Sequence, residues 1–375
     1  MKLQTLILLL TTILLLSNCK KDPEINNAAD FKEYLEAEME TQHIPALSAL
    51  IFKGDQILLQ NHLGLSQVQQ NVALEQDHIF LLASVSKVIT GTALLRLYDQ
   101  GLFALDDPIN NYLPFAVNHP DFNTPITFRH LLTHTSSIAD GDVLDSQYFY
   151  GQDSPVALDS FFENYLVPGG VFYNETQNYD SFEPGTQQEY SNSGSALIGV
   201  LVEAISGMSF NDFCKQQIFT PMGMTNTYWR LDEIPQNKTI VQPYNYAGGD
   251  YEAIQHYTFT DYPNGGLRAT AEDLFKLLSA FAQGGTANNY QLLKPATLTA
   301  MTTLQIPNIN NETGLHFFIM NADNSLWGHD GGEQGVATVM AYNKDTKVGA
   351  IILSNQGEAN LDQVLVEAYK LGLKL

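Results

Sequence analysis

The runs with strand character lie at the two ends of this chain, and that placement constrains the fold more than any other feature. Near the start, Ala46–Phe52 and Gln56–Leu63 are joined by Lys53-Gly54-Asp55, a hairpin pattern. Near the end, Gly314–Met320, Gly335–Tyr342 and Lys347–Leu353 carry β-branched and aromatic residues, and Asn343–Thr346 reads as the turn between the last two. Phe31, Tyr34, Leu35 and Met39 recur at helical spacing and predict an amphipathic opening helix. Apolar helices are expected over Ser84–Tyr98, stopped by Gly101, and over Ser193–Ile205, stopped by Gly207. Thr270-Ala271-Glu272-Asp273 resembles a capping box ahead of Leu274, Phe275, Leu278 and Phe281, and a last helix reads over Leu361–Leu371. The economical solution is an α/β (α+β) fold, with one antiparallel sheet built from both chain ends and flanked by helices. The sheet part is expected over about 28–80 and 265–375, and a mostly helical middle region over about 81–264. Within it, the aromatic-rich stretch from Gly141 to Pro184 reads as long loops with a short helix near Asp159–Tyr165, and as a lid over a site, with simple decoration the alternative.

Charge and cysteine content narrow the function classes. Lys and Arg number 18 against 41 Asp and Glu, a formal net charge of −23. Such a surface repels phosphate backbones, so no nucleic-acid partner is expected. Two cysteines, Cys19 and Cys214, exclude a disulfide-stapled scaffold and a cysteine zinc finger. Cys214 sits in an apolar helical stretch and reads as an inert core thiol. At the start, Lys2 precedes the apolar run Leu6–Leu16, too short for the ~20 residues of a spanning helix. It ends in Leu16-Ser17-Asn18-Cys19 and then Lys20-Lys21-Asp22-Pro23. This resembles a bacterial lipoprotein signal, although Asn18 departs from the small residue usual before the lipidated Cys. On that reading 1–18 are the signal, 19–27 a tether, and 28–375 the folded domain, held in the cell envelope by a lipid on Cys19. An ordinary secretory signal with an incidental Cys is the alternative.

Common hydrolase and cofactor signatures are missing from the sequence. It holds no G-x-S-x-G elbow, no G-x-G fingerprint and no G-K-[ST] phosphate loop. His130 and His134 are four apart, but Leu131 stands where H-E-x-x-H requires Glu, so they read as structural histidines and no metal is expected. What remains is Ser84-Val85-Ser86-Lys87 at a helix start, where three residues of separation put Ser84 and Lys87 on one face. A serine hydroxyl needs a neighbouring base, and a buried lysine supplies one because desolvation lowers an ammonium pKa. Ser17-Asn18-Cys19-Lys20 matches the same spacing but lies in the signal. Tyr190-Ser191-Asn192 offers a phenol and an amide ahead of an apolar helix, with Tyr262-Pro263-Asn264 as a rival match. His329-Asp330-Gly331-Gly332 precedes a strand, and its glycines would let a substrate lie along the strand edge. His62-Leu63-Gly64 is a rival without the glycine-rich sequel.

Together, in this order, the three elements resemble the serine β-lactamase and penicillin-binding-protein superfamily, and more closely its class C β-lactamase, DD-peptidase and esterase branch. Thr127–Ser136, Ser206–Phe210, Pro221–Thr225 and Asn264–Leu267 through Asp273-Leu274 extend the likeness over most of 30–370. The resemblance implies a β-lactamase/transpeptidase-like fold and acyl transfer without metal or organic cofactor. It implies that Ser84 is acylated, that Lys87 and Tyr190 manage the proton, and that Asn192 holds the acyl side chain. The N–H groups of Ser84 and Gly332 would bind the oxyanion. Which of Lys87 and Tyr190 is the base stays open at this point. Two departures bear on substrate. His329 stands where class C enzymes carry Lys, and Asp330 where a hydroxyl residue is common. Arg268 is a candidate carboxylate anchor that would offset Asp330; a solvated surface arginine is the other reading. A small-molecule or peptide substrate is expected, an ester or amide in a peptidase- or esterase-like reaction, including D-amino-acid peptides. A class C type β-lactamase is the alternative, as is a lipid-anchored penicillin-binding sensor that acylates without turnover.

Overall fold

A computed structural model describes residues 24–287, 289–321 and 325–375. The signal, Cys19 and the first part of the tether lie outside the described residues. Helix α1 (Ala28–Thr41) is capped by Asn27, whose side chain accepts the N–H groups of Ala29 and Asp30. It leads into β1 (Ala46–Lys53), β2 (Gln56–Gln67) and the short β3 (Val72–Ala73). After helices α2 (Ser86–Asp99), α3 (Asn192–Ser206) and α4 (Ala271–Ala282) come β4 (Phe318–Ile319), β5 (Trp327–Glu333), β6 (Val336–Tyr342), β7 (Val348–Ser354) and helix α5 (Asp362–Lys374). Shorter helices and strands complete the middle of the chain.

The seven strands form one sheet in the order β4-β5-β6-β7-β1-β2-β3. All of its pairings are antiparallel, and β7 joins β1 from Leu47↔Ser354 to Lys53↔Val348. The two chain ends therefore meet in the middle of the sheet. β1, β6 and β7 are buried on both faces, apart from the terminal Lys53, and are apolar throughout rather than alternating. Leu47, Ala49, Ile51, Ile352 and Val339 pack beneath Phe31 and Leu35 of α1 and Leu365 and Ala368 of α5. Leu50, Phe52, Met340 and Leu353 face the other way and join a larger core with α2, α3 and α4.

Three expectations need adjustment. The strand over Gly314–Met320 shortens to Phe318–Ile319, because the Gly314 N–H closes a turn on Phe317 and His316 adopts a positive φ of 49° while its N–H reaches Leu132. The Ser84–Tyr98 helix begins as a single 3-10 turn, Ala83–Val85, before α2. The stretch read as a lid is docked: Tyr148–Tyr150 pairs with Tyr257–Phe259, and Phe161, Phe162 and Tyr165 are fully buried. Cys214 is buried, and its surroundings push its thiol up, as an inert core cysteine requires.

β5 approaches the 3-10 turn so closely that a side chain cannot stand between them. A Cβ on Gly331 would lie 2.6 Å from the Leu82 carbonyl and 2.8 Å from the Ser84 nitrogen, whereas one on Gly332 would meet open space. Gly331→Ala is expected to cost about 1–3 kcal/mol, measured as a lowered urea midpoint. Gly332→Ala should stay within about 0.5 kcal/mol of the parent. Equal midpoints for the two variants would contradict this packing.

Candidate active site

Between His78 and Leu95 only Ser84 is not buried. It is presented there by its neighbours on both sides. Phe80–Leu81 pairs with Arg268–Ala269, the Leu82 N–H donates to Leu267, and the Leu82 carbonyl accepts from Thr338 Oγ1 at 2.6 Å. Ala83 then adopts φ 48°, a left-handed conformation that non-glycine residues rarely take, and turns the chain into α2. Ser86 Oγ accepts the Leu267 N–H at 3.1 Å and fixes the first turn of α2.

Lys87 is completely buried, and its Nζ reaches three acceptors from three segments. They are Ser84 Oγ at 3.0 Å, Asn192 Oδ1 at 2.7 Å and the Asn264 carbonyl at 2.8 Å. Burial lowers its pKa to about 7, with the carboxylates of Asp140, Asp261, Glu333 and Asp330 pulling the other way. Near neutral pH the amine is thus held at the balance point between base and ammonium. The rival tripeptide at Tyr262 proves to belong to the same site, since Asn264 contributes its backbone to Lys87.

The Tyr190 ring centroid lies 4.8 Å from Lys87 Nζ. The residue is 42% exposed, yet desolvation pushes its phenol up, against a smaller opposing effect of Ser84. The phenol is therefore neutral in the resting site. His134 stacks on it at 4.4 Å and 23°, and His316 stacks behind His134 at 5.2 Å. His134 Nδ1 accepts the Ser191 N–H at 3.1 Å, and His316 Nδ1 lies 3.2 Å from the Lys87 carbonyl. Burial lowers both imidazoles, His316 to about 3, so neither adds charge beside the amine. These two supporting histidines, and Asp140 below, are what sequence reasoning missed as site residues. The Thr127–Ser136 stretch was a signal for His134; a single histidine at 316 and a single aspartate at 140 carried none.

Asn192 opens α3, whose N-terminus is capped twice. Ser191 Oγ accepts the Gly194 N–H at 2.8 Å, and the two oxygens of Asp140 accept the N–H groups of Asn192 and Ser193 at 2.9 and 2.8 Å. The Tyr165 hydroxyl bonds the Ala139 carbonyl and the Gly141 N–H, on either side of Asp140. The aromatic segment thereby sets where Asn192 meets Lys87.

On the opposite side, β4 covers β5 only at Trp327 and Gly328. Among the described residues the edge from His329 to Glu333 has no further strand beside it, and this edge runs past Ser84. Gly331 permits the approach and Gly332 faces open space, as an edge that receives substrate requires. His329 is buried. Its Nδ1 donates to the Asp330 carbonyl, its Nε2 has no partner, and burial together with Lys87 lowers its pKa to about 3. It is neutral and holds no carboxylate by charge. The Asp330 side chain is 70% exposed.

Two cavities flank the Ser84–Lys87 pair. One of about 680 Å³ is bounded by Tyr190, His329 and Asp330, and one of about 230 Å³ by Asn192, Asn264 and Tyr148. Arg268 lines neither. It is 1% exposed, and its guanidinium donates to the carbonyls of Gly266 and Tyr257. The carboxylate-anchor expectation is corrected accordingly, and so is the solvated-surface alternative: Arg268 is an internal strut. His62 lies elsewhere, between Ser48 Oγ at 3.1 Å and Glu272 at 3.5 Å, and Ser48 is buried in the sheet. Among the described residues no group of three or more His, Cys, Asp or Glu is placed to hold a metal ion.

Against this geometry the chain's relatives can be set. It is 26% identical over 340 residues to Penicillin-binding protein 4* of Bacillus subtilis, covering 86% of this chain and 70% of that protein. It is 23% identical over 322 residues to Protein flp of Staphylococcus aureus, covering 86% of this chain but only 61% of flp. The octameric penicillin-binding protein homologue from Pyrococcus abyssi superposes with a TM-score of 0.75 at 22% identity, over 92% of this chain and 77% of that one. A D-stereospecific amidohydrolase from Streptomyces superposes with a TM-score of 0.71 at 23% identity, over 92% and 99%. The family model described as Beta-lactamase matches residues 31–372, and the chain belongs to that family.

Proposed function

We propose that this chain is a serine acyl hydrolase that cleaves an ester or amide through an acyl-enzyme on Ser84. The observation that carries the reading is the 3.0 Å contact between Ser84 Oγ and a buried amine whose pKa is lowered to about 7. Family membership, with an amidohydrolase among its structural neighbours, supports hydrolysis. Lys87 is the better base in the resting site, since its amine is half-neutral at working pH while the Tyr190 phenol keeps its proton.

In the reaction, Lys87 Nζ takes the proton as Ser84 Oγ bonds to the carbonyl carbon. The carbonyl π electrons move onto oxygen, where the N–H groups of Ser84 and Gly332 receive them. Collapse breaks the bond to the leaving group, which gains a proton passed from Lys87 through Tyr190. Water then attacks the acyl-enzyme, giving up one proton to the same pair. The carboxylic acid departs and the Ser84 hydroxyl is restored. The sum is RCO–X + H₂O → RCO–OH + H–X. A neutral His329 and an exposed Asp330 favour peptidase- or esterase-like action over β-lactam hydrolysis, because among the described residues no Lys or Arg lines that cavity to meet the β-lactam carboxylate. The lipid anchor on Cys19 belongs to this proposal, and places the hydrolase at the cell envelope.

A fluorophosphonate probe is expected to add one label per chain by intact mass, and p-nitrophenyl esters to turn over. Ser84→Ala should lose both by at least about 10³-fold; labelling that persists in this variant would remove Ser84 as nucleophile. The pH profile of kcat/KM should show an acidic limb near pH 7, because protonation of Lys87 removes the base. Asp261 is also pushed up to about 7, so Asp261→Asn separates the two. With one carboxylate gone Lys87 holds its proton less firmly, and the limb should move to lower pH; its disappearance would assign it to Asp261 instead. Cys19→Ala should shift the protein from the membrane to the soluble fraction, and an unchanged distribution would refute the anchor.

A further inference from the structure

Both cavities beside the nucleophile carry negative charge with no cation to meet it. Glu312, Asp330 and Asp362 line the larger, and Asp140, Asp261 and Glu333 line the smaller; no Lys or Arg lines either. These carboxylates are not spent on internal ion pairs with arginine. Asp140 accepts two backbone N–H groups, Glu333 accepts from the Tyr148 hydroxyl and the Gln334 N–H, and Asp261 accepts from the Asn264 amide. Neutral donors hold their positions; burial raises Asp261 to about 7 and raises Glu333 as well, so an ammonium entering beside them would favour their ionised forms. Among the described residues the cation nearby is Lys87, itself only half-charged near pH 7 and committed to Ser84.

A second and independent feature points the same way. In the wall of the larger cavity, His329 is 2% exposed, and its Nε2 is a buried lone pair without a partner. The Nδ1 proton is already given to the Asp330 carbonyl, so Nε2 can only accept. A carboxylate brought to this wall would meet a lone pair and the Asp330 charge; an N–H or O–H donor would satisfy both.

We propose that this site selects an acyl group bearing a free ammonium, as in an aminoacyl ester or amide, and discriminates against substrates with a free carboxylate. The proposal rests on the serine-hydrolase reading and specifies its substrate class. The ammonium enters the smaller cavity, where Asn192 meets the acyl side and Asp140, Asp261 and Glu333 surround the space. The leaving group lies towards Tyr190 in the larger cavity, where Asp330 and His329 favour donor-bearing, uncharged groups.

The test uses the full chain and three p-nitrophenyl esters that differ in the charge of the acyl chain: β-alanyl, butyryl and glutaryl. Each kcat/KM is divided by the ester's spontaneous hydrolysis rate, and acylation of Ser84 is followed by intact mass. The β-alanyl ester is expected to exceed the glutaryl ester by at least about tenfold at low salt, with butyryl between, and the ratio should contract in about 0.5 M salt. Asp145→Asn, at the exposed rim of the smaller cavity, should reduce the ratio severalfold. Asp330→Asn should raise turnover of an ester whose leaving group carries a carboxylate, while leaving the acyl ratio nearly unchanged. Ser84 acylation with an equal or reversed charge order would overturn this inference and leave the hydrolase reading standing. No acylation by any ester or by a fluorophosphonate would bring down both.

Discussion

The rest of this site depends on a single amine buried where water cannot reach it. Lys87 Nζ has as many acceptors as an ammonium has protons, and they come from α2's own entry turn, from the start of α3 and from the Tyr262–Asn264 turn. Three stretches far apart in the chain are therefore fixed against one nitrogen. Desolvation disfavours its charge, and nearby carboxylates favour it, so the site works by the difference between two large opposing effects. A lysine with the same three contacts at an exposed position would stay charged near neutral pH.

The surroundings preserve that balance. Three imidazoles lie within the aromatic stack around Tyr190, and all three are neutral. A second full charge beside Lys87 would either be expelled or would strip the lysine of its proton at every working pH. Stacking gives Tyr190 an orientation without adding charge, and its ring borders the larger cavity. Asp140 serves in two ways at once: it caps α3 through two backbone N–H groups and supplies the strongest of the charges that hold the Lys87 pKa up.

Much of this was legible in the residues. The strand-like runs at the two chain ends pointed to one sheet, and Ser84 with Lys87 three positions on required one face of a helix start. Tyr190 and Asn192 stood out ahead of a long apolar helix, but Tyr262-Pro263-Asn264 matched the same pattern, and the resemblance to the family separated them. Arg268 was misread as a carboxylate anchor, with a solvated arginine as the other reading, because both assume a guanidinium free for partners outside the fold; only the fold shows carbonyls of Gly266 and Tyr257 turned inward to receive it. His316 was invisible, since its role comes from a positive φ that breaks the expected strand and carries the ring beneath Lys87.

The sequence by itself determined which chemistry was available: a hydroxyl, an amine and a phenol in an order that resembles a known family, and two chain ends of strand character. Local pattern suffices there because periodicity and i, i+3 geometry act within a few residues. Only the tertiary structure decided the protonation states and the charge of the cavities. Those depend on which groups are stripped of water and which carboxylates face one another across the pocket, and such distances arise only when segments about a hundred residues apart are packed together.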